Sequence, residues 1–222
     1  MWDDDDKPTN PDTPTAKRLR IMTETLVPDR LTPVHVRDMY TALSQAWGKL
    51  VGEVPARNSL LLLLAHWSFE TGAGRAMHCN NPGNAKHVPG DGRSYCQFRC
   101  SEIINGVEVF FDPPSPVTSF RAFDTLEAGC EDYVTLIRGT FRYAWPAVQA
   151  GDPVDFCHRL KVARYYTADE AVYTRGVVGV MRYLDTQIPP DGVGIPELAQ
   201  AGIESLMASF TPDHDPPPEA SG

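Results

Sequence analysis

Asn58-Ser59-Leu60-Leu61-Leu62-Leu63-Leu64-Ala65-His66-Trp67-Ser68-Phe69-Glu70, followed at once by Thr71-Gly72-Ala73-Gly74, is the stretch that decides the fold. Its apolar residues fall on nearly every side of a helical wheel, the pattern of a helix buried among other elements. Asn58 can cap its start, and Gly72 and Gly74 can stop it. A carboxylate closes this otherwise apolar run. At Glu70, burial by Trp67, Phe69 and the leucines opposes ionisation, and so does the partial negative charge of the helix C-terminus. A carboxyl that keeps its proton near neutral pH can donate it to a leaving oxygen. Periodicity alone also permits a plainer reading, in which Glu70 faces solvent at a helix end.

On the N-terminal side of this run, Thr32-Pro33 reads as an N-cap followed by proline at the first helical position. Val36, Met39, Tyr40, Leu43 and Trp47 then repeat at helical spacing. On the C-terminal side the pattern changes. From Asn80 to Phe120 the chain is punctuated by Gly, Pro and Asn, with Glu102-Ile103-Ile104 and Val107-Glu108-Val109-Phe110-Phe111 separated by Asn105-Gly106, a hairpin signal. Helical periodicity returns after Asp124-Thr125-Leu126-Glu127, near Pro153 to Val162, and from Asp169 to Leu184. The order of helices, small β insertion and helices predicts one α+β domain. It spans residues 26–188 with its β part at about 80–120, after a disordered leader (1–25) and before a solvated Pro-rich tail (189–222).

The 222 residues are 42% hydrophobic and 9% aromatic, which suits a single sizeable core. A formal charge of −9 argues against nucleic acid as a partner, because polyanion binding needs phosphates neutralised by Lys and Arg. It equally disfavours an anionic membrane surface. The longest apolar run is far short of the roughly 20 residues that span a bilayer, so no membrane insertion is expected. The acidic start Met1-Trp2-Asp3-Asp4-Asp5-Asp6-Lys7 lacks the basic and apolar regions of a secretory signal, and export by another route or release by lysis is expected.

A glycosidase usually needs a second carboxylate across the substrate from its acid. The hairpin offers Glu102 and Glu108, which also read as ordinary surface residues of a small sheet. Residues of equal parity share a strand face, so the two should point the same way unless the turn or a bulge intervenes. His78, Cys79, His87, Cys96 and Cys100 are the one plausible group of zinc-ligand types. The Cys-x3-Cys spacing lacks a second regular pair, and no metal or cofactor is expected. A disulfide bracing the β insertion, Cys79 with Cys96 or Cys100, is expected instead. Cys130 and Cys157 read as small buried apolar residues on helices.

Several of these segments, taken in order, resemble glycoside hydrolase family 73, the flagellar and autolysin-type N-acetylglucosaminidases. Phe69-Glu70-Thr71-Gly72-Ala73-Gly74 is similar to that family's Glu-Ser-Gly-x-Gly signature. Asn80-Asn81-Pro82-Gly83-Asn84-Ala85-Lys86 resembles its Asn-Asn-Leu-Phe-Gly-Ile-Lys segment, and Ser119-Phe120-Arg121-Ala122-Phe123-Asp124-Thr125 its Ser-Phe-Arg-x-Tyr-Asp-Ser segment. Leu160-Lys161-Val162-Ala163-Arg164-Tyr165-Tyr166-Thr167-Ala168-Asp169, with Tyr173 beyond, is similar to Leu-x-x-Ala-Gly-Tyr-Ala-Thr-Asp-Pro-x-Tyr.

The resemblance implies a lysozyme-like fold, with a mainly α-helical lobe carrying the acid and a small β-hairpin lobe flanking a cleft. It implies cleavage of the β-1,4 bond between N-acetylglucosamine and N-acetylmuramic acid in peptidoglycan. Glu70 takes the catalytic glutamate, Glu102 the second carboxylate with Glu108 as fallback, and Tyr165 the cleft tyrosine with Tyr166 as alternative. One of the two tyrosines is expected to be plain core. Asn80 and Asn81 either hold the loop after the catalytic helix or bond acetamido groups. Peptidoglycan glycan strands are the implied partner and the periplasm or cell wall the implied place of action. The missing signal suits an antibacterial effector with an immunity protein, or a phage endolysin. A muramidase or lytic transglycosylase, and a noncatalytic glycan-binding module, are the alternatives. The cysteine-rich segment, Pro82-Gly83 and Pro113-Pro114-Ser115-Pro116 depart from the family pattern.

Overall fold

The computed structural model describes residues 24–104 and 107–209. The expected turn residues Asn105 and Gly106, and most of the expected leader and the far end of the tail, lie outside the described residues. Among the described residues the architecture is α+β, as the sequence predicts. The elements in chain order are α1 (Val36–Val51), α2 (Arg57–Glu70), β1 (Tyr95–Gln97), β2 (Cys100–Ile104), β3 (Val107–Phe111), β4 (Ser119–Arg121), α3 (Leu126–Gly139), α4 (Trp145–Ala150), α5 (Pro153–Val162), α6 (Glu170–Gln187) and α7 (Glu197–Ala208). No described helix is long and apolar enough to cross a membrane.

The α2 helix is the axis of the core. Every residue from Ser59 to Ser68 is buried, because α1, α4, α6 and α7 pack around it and leave no face for solvent. The polar Ser68 is accommodated by turning its hydroxyl back onto the Leu64 carbonyl at 2.8 Å. Burial of each large apolar side chain contributes about 1.5–3 kcal/mol, so this helix anchors the domain. Trp67 is fully buried, and Trp145 stacks on Trp47 with centroids 4.8 Å apart; both belong to the core, as expected.

Two helix starts differ from expectation. His35, not Thr32, caps α1, its Nδ1 accepting from the Arg37 N–H at 3.2 Å. Thr32 is drawn away because its hydroxyl tethers the loop after α2, donating to the Met77 carbonyl at 3.2 Å and accepting from the Asn80 N–H at 2.8 Å. The α2 helix begins at Arg57, with Ala56 at its N-cap and no side-chain cap. Thr125 does cap α3, accepting from the Ala128 N–H at 3.2 Å, and Asp169 caps α6.

The solvated tail expected from residue 189 is corrected by α7, whose Ala199, Ile203 and Met207 are buried in the main core. Gln200 explains why the chain returns. Its Oε1 accepts from the Val36 N–H at 2.9 Å, covering an open donor at the start of α1, while its Nε2 donates to the Ala73 carbonyl at 2.7 Å just beyond Glu70.

The β region consists of two antiparallel pairs, β1 with β4 and β2 with β3. It has its own small core of Cys79, Cys96, Phe120 and Ala122. Arg121 on β4 reaches Asp132 on α3 at 2.7 Å, and Arg93 reaches the same carboxylate at 2.8 Å, joining the β region to the helical body through a shared acid. Such a buried network fixes orientation more than it adds net stability.

Candidate active site

Glu70 is the last residue of α2 and its side chain is only 16% exposed. The Tyr173 hydroxyl on α6 donates to its Oε1 at 2.5 Å. Burial raises the Glu70 pKa to about 7, and the Tyr173 hydrogen bond, which favours the carboxylate, works against that rise. The solvent-facing reading of Glu70 is therefore excluded, and its proton is available near neutral pH.

One turn earlier, His66 lies fully buried beneath Glu70, with Nε2 at 3.7 Å from Oε1. Burial lowers its pKa to about 3, so the imidazole is neutral and the contact is no ion pair. The Tyr133 hydroxyl lies 2.5 Å from His66 Nδ1, and burial holds that tyrosine well above its ordinary pKa, so it stays protonated. The Tyr133 hydroxyl also lies 3.4 Å from the Leu63 carbonyl, so Nδ1 accepts from Tyr133 in one tautomer and donates to it in the other; in both, the neutral Nε2 faces Glu70 with no other partner. A neutral ring there does not hold Glu70 charged beforehand, and in the tautomer that carries its proton on Nε2 it donates to the carboxylate once the Glu70 proton has left.

Tyr173, like His66 and Tyr133, is not among the site residues expected from the sequence. It stacks flat on Tyr166 at 3.7 Å and meets Phe69 edge-on at 4.7 Å, so its ring is clamped and its hydroxyl aimed. Gly176, one turn further along α6, makes room for the Phe69 ring: a Cβ there would lie 2.2 Å from Phe69 Cε2. The signal for it was its place as the closing tyrosine of the segment that begins at Leu160, on the apolar face of a well-marked helix.

Tyr165, expected in the cleft, packs its ring against His66 and Phe141 at 5.1 and 4.9 Å. Its hydroxyl donates to the Gly83 carbonyl at 2.6 Å. Glu70 is close enough that its charge, after burial, raises the Tyr165 pKa further. Tyr166 donates to the Cys157 carbonyl at 3.0 Å. Tyr165 thus ties the loop after α2 to the acid's surroundings, and Tyr166 backs Tyr173.

The two asparagines of that loop are spent on backbone. Asn81 is 4% exposed, donates to the Ala85 and Arg121 carbonyls at 3.0 and 3.1 Å, and accepts from the Ala85 N–H at 3.0 Å. Asn80, in the left-handed region at φ 53°, donates to the Phe123 carbonyl at 3.0 Å. Of the two expectations for these residues, the structure fits loop bracing.

The β2–β3 register corrects the expectation that Glu102 and Glu108 share a face. Glu102 lies opposite Val109 and Glu108 opposite Ile103, with Ile104 opposite Val107. Cross-strand partners share a face, so odd positions of β3 go with even positions of β2, and the two glutamates point oppositely. Glu102 is ion-paired with Lys86, whose ammonium also sits 3.9 Å over the Phe120 ring. Glu108 is exposed.

Two solved structures are similar to the chain. One is a peptidoglycan hydrolase mutant from Sphingomonas sp. A1, with 19% identity and a TM-score of 0.49, covering 66% of this chain and 88% of that one. The other is a C-terminally truncated glycoside hydrolase domain from Salmonella typhimurium FlgJ, with 18% identity and a TM-score of 0.45, covering 68% and 98%. No family model and no curated protein sequence matches the chain.

The residues expected as zinc-ligand types are only partly brought together. Cys79 and Cys96 are buried side by side with the Asp29 carboxylate. His87 instead stacks on Tyr95 at 4.2 Å, with Glu24 at 3.5 Å. Cys100 faces Glu102 at 3.8 Å. All five cysteines are free thiols, which differs from the expected disulfide. Cys130 and Cys157 are buried in the helical core, as predicted.

Proposed function

We propose that the chain is a peptidoglycan hydrolase that cleaves the β-1,4 bond between N-acetylglucosamine and N-acetylmuramic acid. The observation that carries this is Glu70, a carboxyl desolvated at the end of a buried helix, raised to about 7 and aimed by the Tyr173 hydroxyl. The order of family-like motifs around it supplies the substrate class. In this reading Glu70 protonates the glycosidic oxygen as the bond to the anomeric carbon breaks. Glu102 helps water reach that carbon or stabilises its positive charge. That substrate puts the site of action in the cell-wall compartment.

A second reading has a specific observation in its favour. Glu102 already has Lys86 as its partner, and Glu108 lies on the other face of the hairpin. A lytic transglycosylase needs one carboxyl, because a hydroxyl of the muramic residue attacks internally after Glu70 has delivered its proton. Mass spectra of purified sacculi digested by the protein separate the two. Reducing N-acetylglucosamine ends support the first reading and anhydro-muramic ends the second. Absence of soluble product overturns both and leaves a glycan-binding module.

A further inference from the structure

At the edge of the β region, three parts of the chain that are distant in sequence converge on one point. Asp29 comes from the strap of residues 24–31, Cys79 from the loop after α2, and Cys96 from β1. One carboxylate oxygen and the two sulfurs all lie within 4.8 Å of one another. Both cysteines are 0% exposed, while Asp29 stands at the surface and closes the cluster from outside. The frame around the three donors is stiff. The Cys79 N–H donates to the Arg30 carbonyl at 2.8 Å, the Phe123 N–H donates to the Cys79 carbonyl at 2.9 Å, and Cys96 is paired with Phe120 across β1 and β4. His78 Nδ1 bonds the Asp29 carboxylate at 2.7 Å, and its ring is stacked on Phe98 at 3.9 Å.

We propose that Asp29, Cys79 and Cys96 form a structural site for a zinc-class divalent cation, with His78 steadying the Asp29 carboxylate. Two thiolates and a carboxylate are the donor set of a borderline-soft cation and a poor one for magnesium or calcium, which take oxygen ligands. The fourth tetrahedral place falls to water. A ligating carboxylate held by an imidazole is the usual outer support of such sites. Loading releases one proton from each thiol, so the cation supplies the charge that two buried thiolates need. A disulfide would account for the two sulfurs alone, whereas a cation gives all three donors one common partner. The cation would clamp the strap of residues 24–31 onto a β region whose own core is only a few side chains, where a clamp matters most.

The test uses the full chain purified without chelator. Elemental analysis should find about one zinc per chain, with all five cysteines titrating as thiols once the protein is denatured and the metal chelated. Replacement by Co2+ should give thiolate-to-cobalt charge-transfer absorption in the near ultraviolet. Asp29→Asn, at the surface and compatible with an intact fold by circular dichroism, should weaken Zn2+ binding by about tenfold or more. Cys79→Ser should abolish it, and Cys100→Ser should leave it unchanged. A mass lower by two hydrogens with Cys79 joined to Cys96 would overturn the proposal in favour of a disulfide. Five thiols without bound zinc would also overturn it, as would zinc retained equally by Asp29→Asn and Cys79→Ser.

Discussion

The surroundings of Glu70 and the surroundings of Glu102 are built on opposite principles. Around Glu70, polar groups are set into apolar packing: His66, Tyr133 and Tyr173 are buried, Tyr165 is partly buried, and desolvation is the leading cause of every pKa shift among them. Around Glu102 the core is thin. Side chains there are held by the Lys86 ion pair, by the backbone bonds of Asn81 and by the sulfurs of Cys79 and Cys96. Chemistry that needs a shifted proton affinity is located where packing is dense enough to exclude water. The thin region contributes shape and depends on polar ties for its order.

The sharpest way to break this contrast is Glu70→Gln. The change is nearly isosteric and keeps the acceptor oxygen that faces Tyr173, so the fold should survive. Loss of the general acid should lower the rate of sacculus digestion by about 10³-fold. Activity within a few-fold of the parent protein would remove Glu70 from the mechanism.

The same variant tests burial directly through stability. The Glu70 pKa is raised from 4.5 in the ordinary state to about 7 in the folded protein. The carboxyl therefore costs the folded state nothing below pH 4.5. Stability falls as pH rises from there to about 7, because only the unfolded chain ionises freely, and it changes little beyond. At pH 8 Glu70→Gln should be the more stable protein by about 3 kcal/mol, and at pH 4 the two should match. Denaturant midpoints at the two pH values measure this. Equal midpoints at pH 8 would mean that Glu70 is in contact with water.

How much of each region could be read in the sequence follows the same division. A leucine run apolar on all sides reads as a buried helix, so α2 and the acid at its end were legible, as were α5 and α6 from their helical periodicity. The partners of Glu70 were not, because which residue of α6 meets the end of α2 depends on helix packing and not on spacing along the chain. The return of α7 was hidden behind Pro189, Pro190 and the glycines that precede it, and its use shows in the buried Ala199, Ile203 and Met207 and in the bonds of Gln200 to Val36 and Ala73. In the β region the hairpin was legible from Asn-Gly and its faces were not. The Ile104–Val107 register reverses parity between the strands, which separated two glutamates that counting along the chain had placed together.

In the thin region, removal of a polar tie should cost stability rather than chemistry. Asn81→Ala leaves the Ala85 N–H without its partner and takes one donor from each of the Ala85 and Arg121 carbonyls, of which the Ala85 carbonyl keeps the Arg121 N–H at 2.9 Å. The expected loss is about 2 kcal/mol, read as a lower urea midpoint with an unchanged pH optimum. A shifted pH optimum would show that the loop also sets the environment of Glu70.

The finest test of the contrast lies between the two hairpin glutamates. Glu102 sits on the face of β2 that meets Lys86, and Lys86 in turn lies over Phe120 and bonds the Val117 carbonyl at 3.0 Å, so a change at Glu102 disturbs an ordered group. Glu108 is exposed on the opposite face, with no hydrogen bond or ion pair among the described residues. If Glu102 assists water or stabilises charge, Glu102→Gln should lower the rate about tenfold, ~1.4 kcal/mol of barrier, while Glu108→Gln should change it by less than about twofold. Double substitution with Lys86→Met separates the ion pair from catalysis. When Lys86 serves only to hold Glu102, the double variant should be no slower than Glu102→Gln alone. Equal and small effects of both glutamates would leave Glu70 as the one working carboxyl and give the internal-attack reading the better claim.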